Sequence, residues 1–531
     1  MANRELLLGD EALALGALHA GLSGVYAYPG TPSTEITEYI QNHPLAAERN
    51  VHCKWSANEK TAMEEALGMS FCGKRALVCM KHVGMNVAAD AFVNSGMTGA
   101  NGGLVVVAAD DPSMHSSQNE QDSRFYGKFA FIPVFEPSTQ QETYDMVRYA
   151  FDYSERFHIP VLMRLTTRMA HSRAVVETAP TREPNAYACP APERMRQWVL
   201  MPGNSRVRYN TLLEEYARFE EEAAASRSNT FRDGADRSRG IIACGIAYNY
   251  LMENYPDGCP HPVLKIAQYP LPRAEVRRLA SQCDSLLVIE EGQPLVEEQL
   301  RGILETPLPI RGRTGELTPD SVRRALGLEP HEAHAASQIV VPRPPALCQG
   351  CGHRDMYTAL TEVVREYDNA RVFSDIGCYT LGWLAPFHAI DTCVEMGGSI
   401  TMAKGAADAG QHPSIAVIGD STFTHSGMTG LLDAVNEQAN ITVIISDNLT
   451  TGMTGGQDSA GTGRLEQICA GIGVDPAHIR VVVPLPRNRE ELKAMIREEI
   501  AYRGVSVIIP RRECSQTAKR HNAAKTAKSA E

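Results

Sequence analysis

The sequence predicts an α/β protein built from two doubly wound parallel-sheet domains that flank a smaller α/β domain. Three observations carry this. Strand-length apolar runs without alternation, such as Leu104–Ala109, recur between helix-length spacers, the pattern of central strands covered by helices on both faces. That rhythm fills the N-terminal third, breaks off, and resumes near Ala346. With 531 residues the chain also has room for roughly three or four cores.

In chain order, Gly24–Tyr28 reads as a strand ending in the turn Pro29-Gly30-Thr31-Pro32. A helix then starts near Ser33, with hydroxyls available as caps and acids in its first turn. Arg75–Met80, Leu104–Ala109 and Pro160–Leu165 are further strands of this first domain, residues 1–180. Residues 181–239 form a linker with a charged helix over Tyr209–Arg227 and a polar loop around Ser228–Arg239. The middle domain, 240–335, contains strands at Gly240–Gly245 and Leu286–Glu291 and a helix at Val322–Leu326. The Pro-rich stretch Val341–Pro345 marks a boundary, because proline fixes φ and discourages helix before it. The last domain, 346–512, carries strands at Arg371–Ser374, Ile415–Gly419 and Ile441–Ser446, and residues 513–531 read as a frayed tail.

Composition excludes several classes. Hydrophobic residues make up 43% and charged residues 21%, which rules out wholesale disorder. A net charge of −12 argues against nucleic-acid binding, which needs clustered Lys and Arg. No apolar run approaches the roughly 20 residues that span a bilayer, and the N-terminus has no signal-peptide pattern. Thirteen cysteines without a secretion signal point to free thiols or metal ligands and a cytoplasmic location.

The most informative stretch pairs Ile415–Gly419, followed by Asp420 and Ser421, with Ile441–Ser446, followed by Asp447 and Asn448. Ligands of open α/β sheets bind beyond the carboxyl ends of the strands, where Asp420 and Asn448 emerge. One crossover helix, Ser426–Asn436, fits between them. A carboxylate, an amide oxygen and a nearby backbone carbonyl form a hard oxygen set suited to Mg²⁺, retained if phosphate oxygens complete the octahedron. Gly419 lets the backbone approach a diphosphate, and the following helix N-terminus adds positive potential.

The Gly-Asp-Ser…Asn pattern resembles the diphosphate signature of thiamine diphosphate enzymes. The wider sequence resembles the large subunits of the 2-oxoacid:ferredoxin oxidoreductases of the indolepyruvate type. The stretches that carry this are Tyr28–Glu35, Asn58–Lys60, Met80–Gly84, His115–Asp122, Asp375–Thr380 and Thr451–Gln457. The resemblance implies a pyrimidine-binding first domain, a transketolase-C-terminal-like middle domain and a diphosphate-binding last domain, with the coenzyme lying between domains of different protomers. It assigns Asp420, Asn448 and the Thr450 carbonyl to Mg²⁺, and the Gly397-Gly398-Ser399 segment to the lining of the coenzyme. Glu59 matches the glutamate that contacts the aminopyrimidine ring, where a carboxyl group stabilises the imino tautomer that acts as base. Thr31 matches a substrate-contacting threonine, and Arg124 is a candidate clamp for the substrate carboxylate. His82 and His115 are possible polar contacts.

Cys348 and Cys351 form a Cys-x-x-Cys turn that by itself is compatible with zinc, with redox chemistry or with neither. With Cys378 and Cys514 it resembles the ligand arrangement of a proximal [4Fe–4S] cluster in related enzymes. Cys53, Cys72, Cys79, Cys244 and Cys283 read as buried apolar cysteines. The sequence ends at Glu531 without the paired Cys-rich runs of the ferredoxin-like domain that indolepyruvate enzymes append. The resemblance implies oxidative decarboxylation of an aryl-2-oxoacid with coenzyme A to an acyl-CoA, CO₂ and reduced ferredoxin or another carrier. It also implies a small gamma-type (beta) partner subunit, and a self-dimer within a heterotetramer or larger assembly. A non-oxidative 2-oxoacid decarboxylase and a non-catalytic cofactor-binding scaffold remain the competing readings.

Overall fold

The computed structural model describes residues 4–303, 309–313, 315–331, 337–341, 345–393 and 395–528. The chain divides into two compact units, Met1–His334 and Ala335–Glu531. Most of the expected Pro-rich boundary, residues 342–344, lies outside the described residues.

The strands of the first unit begin with β1 (Arg4–Leu8), β2 (Gly24–Ala27), β3 (His52–Trp55), β4 (Ala76–Lys81), β5 (Leu104–Asp110), β6 (Val134–Phe135), β7 (Val161–Thr166) and β8 (Arg173–Glu177). They continue with β9 (Thr230–Arg232), β10 (Gly240–Cys244), β11 (Val263–Ile266), β12 (Gln268–Tyr269), β13 (Leu286–Ile289) and β14 (Ile310–Arg313). A seven-stranded sheet has the order β12-β6-β7-β5-β4-β2-β3, and a five-stranded sheet the order β14-β13-β10-β11-β9. Antiparallel edges (β12 on β6, β9 on β11) border otherwise parallel sheets, and β1 pairs with β8 as a separate ribbon. β4, β5 and β7 are buried throughout, as their unbroken apolar runs require of strands covered on both faces.

Among the strands that the sequence did not announce, two short ones stand where a loop or no strand was expected. β9 lies inside the expected polar loop, and β12, from the middle segment, extends the first sheet. Both are too short for a period-two pattern to stand out. The charged linker helix spans Pro202–Ala224 and buries Leu212, Phe219 and Ala223. The helix Gly9–His19 packs on Gln140–Phe157 closely enough that a methyl on Gly16 would lie 2.6 Å from the Val147 side chain.

The second unit holds β15 (Arg371–Ser374), β16 (Thr392–Cys393), β17 (Ser414–Gly419), β18 (Ile441–Ser446), β19 (Ile479–Val482) and β20 (Val505–Pro510). They form one six-stranded, wholly parallel sheet in the order β16-β15-β17-β18-β20-β19. Gly419 of β17 stands level with Ser446 of β18, so Asp420 and Asp447 leave the sheet side by side. The expected crossover helix begins earlier than Ser426: helical backbone runs through Asp420–Thr422, a π-turn at Phe423–Gly427, and Met428–Asn436. The expected frayed tail is also corrected, because Ser515–Lys528 is helical. Its Ala- and Lys-rich composition favours helix, and Ala518 N–H donates to the Cys514 carbonyl at 2.9 Å. No helix among the described residues is long and apolar enough to cross a membrane.

Candidate active site

In the second unit the functional residues gather on the carboxyl edge of the sheet. Asp420 opens the helix after β17 and is buried; its Oδ2 finds no hydrogen-bond partner among the described residues. Burial, with the neighbouring Asp447 adding, pushes its carboxyl up to about 7. Gly419 has no room for a side chain, since a methyl would lie 2.7 Å from the Tyr379 ring. After β18 the chain makes a tight turn with Leu449 at φ +63°, a region costly for a residue with a Cβ. Asp447 Oδ1 accepts from Leu449 N–H at 3.1 Å and Asn448 Oδ1 from Thr450 N–H at 3.2 Å, which fixes the turn. Arg511 Nε donates to Asp447 Oδ2 at 2.6 Å and its guanidinium also grips Glu466, anchoring the turn from below. Ser421 Oγ lies 2.9 Å from Thr451 Oγ1.

Gly397, at φ +92°, starts the helix Gly398–Asp408, and Ser399 N–H donates to Asp375 Oδ2 at 3.2 Å. Asp375, at the end of β15, also receives the Tyr379 hydroxyl, and burial pushes its carboxyl up to about 7. The sequence reading did not assign Asp375 a role, although a strand-end acid before Gly-Cys was the available signal. The structure therefore brings Gly419, Asp420, Ser421, Asn448 and Thr450 to one edge, with Gly397–Ser399 held to neighbouring β15. An orphaned buried carboxylate oxygen, with an amide oxygen after the end of the neighbouring strand, fits a hard divalent ion.

The four cysteines converge beside this edge. Cys348, Cys351, Cys378 and Cys514 line a cavity of ≈ 70 Å³. Cys351 N–H donates to the Cys348 carbonyl at 3.2 Å, and Cys351 caps the helix Gly352–Val364. Cys514 N–H donates to the Asn448 carbonyl at 3.0 Å, and Gln516 Nε2 approaches Cys348 Sγ at 3.4 Å. Burial, reinforced by the other three thiols, pushes Cys378 up to about 12, so the four cannot all ionise without a compensating positive centre. Among the described residues only Asp10, Glu35 and His171 bring three such ligand atoms within 4.8 Å of one another, so the thiols spread wider than one tetrahedral zinc requires. Gly452 forms the partition: a methyl there would lie 3.3 Å from Asn448 Nδ2, 3.4 Å from Cys378 Sγ and 3.9 Å from Cys514 Sγ.

In the first unit, Thr31 sits half-buried on a turn closed by Ser33 Oγ donating to the Gly30 carbonyl at 2.7 Å. The hydroxyls of Ser33 and Thr34 reach back to Gly30 and do not cap the helix Thr34–Asn42. Glu59 opens the helix Glu59–Phe71, capped by Asn58 Oδ1 accepting from Thr61 N–H at 2.8 Å. Its side chain is buried against Gly84, where a methyl would lie 2.7 Å from Glu59 Oε1. His82 is buried with Nε2 3.2 Å from the Asn119 carbonyl, and exposed His115 pairs with Glu316 at 2.8 Å. Cys79, Cys244 and Cys283 are buried, while Cys53 and Cys72 are half-exposed.

Arg124 requires a correction. It is wholly buried, bound to Asp122 through Nε at 2.9 Å and Nη2 at 2.5 Å, to Glu290 at 3.0 Å and to the Gln293 carbonyl at 2.9 Å. Its donors are spent inside the fold, so it does not clamp a substrate carboxylate. Arg164 is spent likewise on Asp110, Glu136 and the Glu291 carbonyl. Together the two guanidiniums weld the seven-stranded sheet to the segment after β13.

A family described as the thiamine pyrophosphate enzyme C-terminal TPP-binding domain matches residues 375–509, and the thiamine-diphosphate-binding family of pyruvate flavodoxin/ferredoxin oxidoreductases matches 15–226. The indolepyruvate oxidoreductase subunit IorA of Archaeoglobus fulgidus is 39% identical, covering 96% of this chain and 86% of its own. Those of Pyrococcus abyssi and Methanothermobacter marburgensis are 37% and 36% identical at similar coverage. The chain belongs to the indolepyruvate family of thiamine diphosphate-dependent 2-oxoacid:ferredoxin oxidoreductases. Membership makes it an oxidoreductase subunit with thiamine diphosphate-binding domains. A solved 2-oxoglutarate:ferredoxin oxidoreductase from Magnetococcus marinus shares the fold, at a TM-score of 0.50 and 16% identity over 61% of this chain and 65% of that one.

Two outcomes test this description. Arg124→Ala strands the buried carboxylates of Asp122 and Glu290 and should lower unfolding stability by about 3–5 kcal/mol in denaturant titration, well before any effect specific to substrate carboxylate. A divalent ion on Asp420 needs the ionised carboxylate, so Mg²⁺ affinity measured by titration calorimetry should weaken as pH falls below about 7; a flat profile would remove Asp420 from the ligand set.

Proposed function

We propose that the chain is the large subunit of a cytoplasmic enzyme that oxidatively decarboxylates aryl-2-oxoacids of the indolepyruvate or phenylpyruvate type. The products are an acyl-coenzyme A, CO₂ and reduced ferredoxin or another carrier. One observation supports the reading: a methyl on Gly452 would touch both the Asn448 amide and the Cys378 and Cys514 thiols, so the thiol-lined cavity borders the turn that carries Asn448. The same juxtaposition speaks against a non-oxidative decarboxylase or an inert scaffold, which need no such pocket.

Asp420, Asn448 and the Thr450 carbonyl hold Mg²⁺, while Gly419, Ser421 and Gly397–Ser399 line the coenzyme's diphosphate end. Cys348, Cys351, Cys378 and Cys514 hold one [4Fe–4S] cluster. Thiamine diphosphate, when bound, supplies a nucleophilic carbon and an electron sink, and the cluster supplies one-electron steps. Glu59 holds its proton at the aminopyrimidine nitrogen and keeps that ring in its basic tautomer. The Thr31 hydroxyl orients the substrate. In balance, the bond to the carboxylate breaks, a bond to the coenzyme A sulfur forms, the thiol proton goes to solvent, and an electron pair leaves one electron at a time to the carrier. The small gamma-type (beta) subunit completes a heteromer around a self-dimer of this chain.

Glu59→Gln should retain Mg²⁺-dependent coenzyme binding and lose about 100-fold or more in turnover, and near-normal activity would remove Glu59 from the mechanism. The chain purified without oxygen should be brown and bleach on reduction, and Cys378→Ser should lose the colour; an iron-replete but colourless wild type would end the cluster assignment. With the small subunit, coenzyme A and a viologen dye, aryl-2-oxoacids should outpace pyruvate and 2-oxoglutarate, and the reverse order would overturn the substrate class.

A further inference from the structure

Outside the residues used above, the first unit gathers a second group of ligand atoms, with Asp10 buried, Glu35 half-buried and His171 exposed. Asp10 lies in the first turn of the helix Gly9–His19, Glu35 in the first turn of the helix Thr34–Asn42, and His171 closes the helix Thr167–His171. One ligand atom from each lies within 4.8 Å of the other two. Asp10 is fully buried, and neither of its oxygens has a hydrogen-bond partner; Glu35 Oε2 is buried and orphaned as well. Glu35 Oε1 and His171 Nε2 stand 3.6 Å apart, an ion pair when the imidazole is protonated, and Glu35 raises the imidazole's pKa. Among the described residues no Lys or Arg forms an ion pair with either carboxylate.

Three orphaned acid oxygens are costly to bury as anions; a proton on Asp10, whose carboxyl burial raises well above its ordinary range, or a cation joining all three side chains meets that cost. No linear motif announces the group, because its members come from three separate helices. We propose that Asp10, Glu35 and His171 bind a first-row divalent cation. Two carboxylates and an imidazole suit Mn²⁺, Fe²⁺ or Zn²⁺; an all-oxygen cage would suit Ca²⁺ or Mg²⁺. His171 also lines an open cavity of ≈ 530 Å³ with His115, Arg168 and Glu316, which gives the ion an entry path and water ligands for its open positions. The ion braces the helix whose entry turn presents Thr31. None of this depends on the coenzyme assignment, since neither Asp420 nor any cysteine takes part.

Mn²⁺ is the probe, because thiols bind it poorly. The full chain carrying Asp420→Ala, or Asn448→Ala, removes the competing oxygen site at the sheet edge. Equilibrium dialysis should still find one Mn²⁺ per chain, and pulsed EPR should show coupling to an imidazole nitrogen. Glu35→Gln and His171→Ala, each folded by circular dichroism, should weaken binding about tenfold or more, and His171→Ala should abolish the nitrogen coupling. The proposal is overturned if the Asp420→Ala and Asn448→Ala chains bind no Mn²⁺. It is equally overturned if both ligand variants bind unchanged, or if the bound ion lacks nitrogen coupling.

Discussion

A parallel sheet ends all its strands on one edge, and the second unit is built on that constraint. Because β15, β17, β18 and β20 run the same way, Asp375, Asp420, Asn448 and Cys514 leave the sheet together, though they are far apart in sequence. An antiparallel pairing at any of these steps would send one of them to the opposite edge. The local devices only refine what the topology delivers: the strained Leu449 turn aims Asn448, Arg511 holds Asp447, and the Tyr379 ring occupies the space that Gly419 leaves.

The first unit answers a different problem, joining two sheets into one body. It does so with buried charge: Arg124 and Arg164 link Asp110, Asp122 and Glu136 to Glu290 and the backbone beyond β13. Such an arrangement fixes geometry more than it adds stability, since ions taken out of water recover their desolvation cost only through well-formed hydrogen bonds. The guanidinium that the sequence suggested for recognising a substrate is thereby consumed as mortar.

Much of this was legible before any coordinates. Arg371–Ser374 and Ile441–Ser446 are strands with the bounds their apolar runs suggest, and the four cysteines line one cavity. What escaped has a common cause. Asp122, two residues from Arg124, was a visible partner, but Glu290 and Gln293 reach that guanidinium only through the tertiary fold. β12 is too brief to show a period, and the tail's polarity hid a helix whose first turn is anchored by Cys514. Asp10, Glu35 and His171 belong to no linear motif. Periodicity reports which way a segment faces; it is silent about what meets it there.

The C-terminal helix begins on a thiol that also borders the cavity, and its amide is fastened to the loop after β18. Order in the lysine-bearing tail is therefore tied to the thiol-lined cavity and to the loop after β18. Trypsin sensitivity of that segment thus reports on how firmly the Cys514 end of the helix is held, readable on a gel without any spectroscopy.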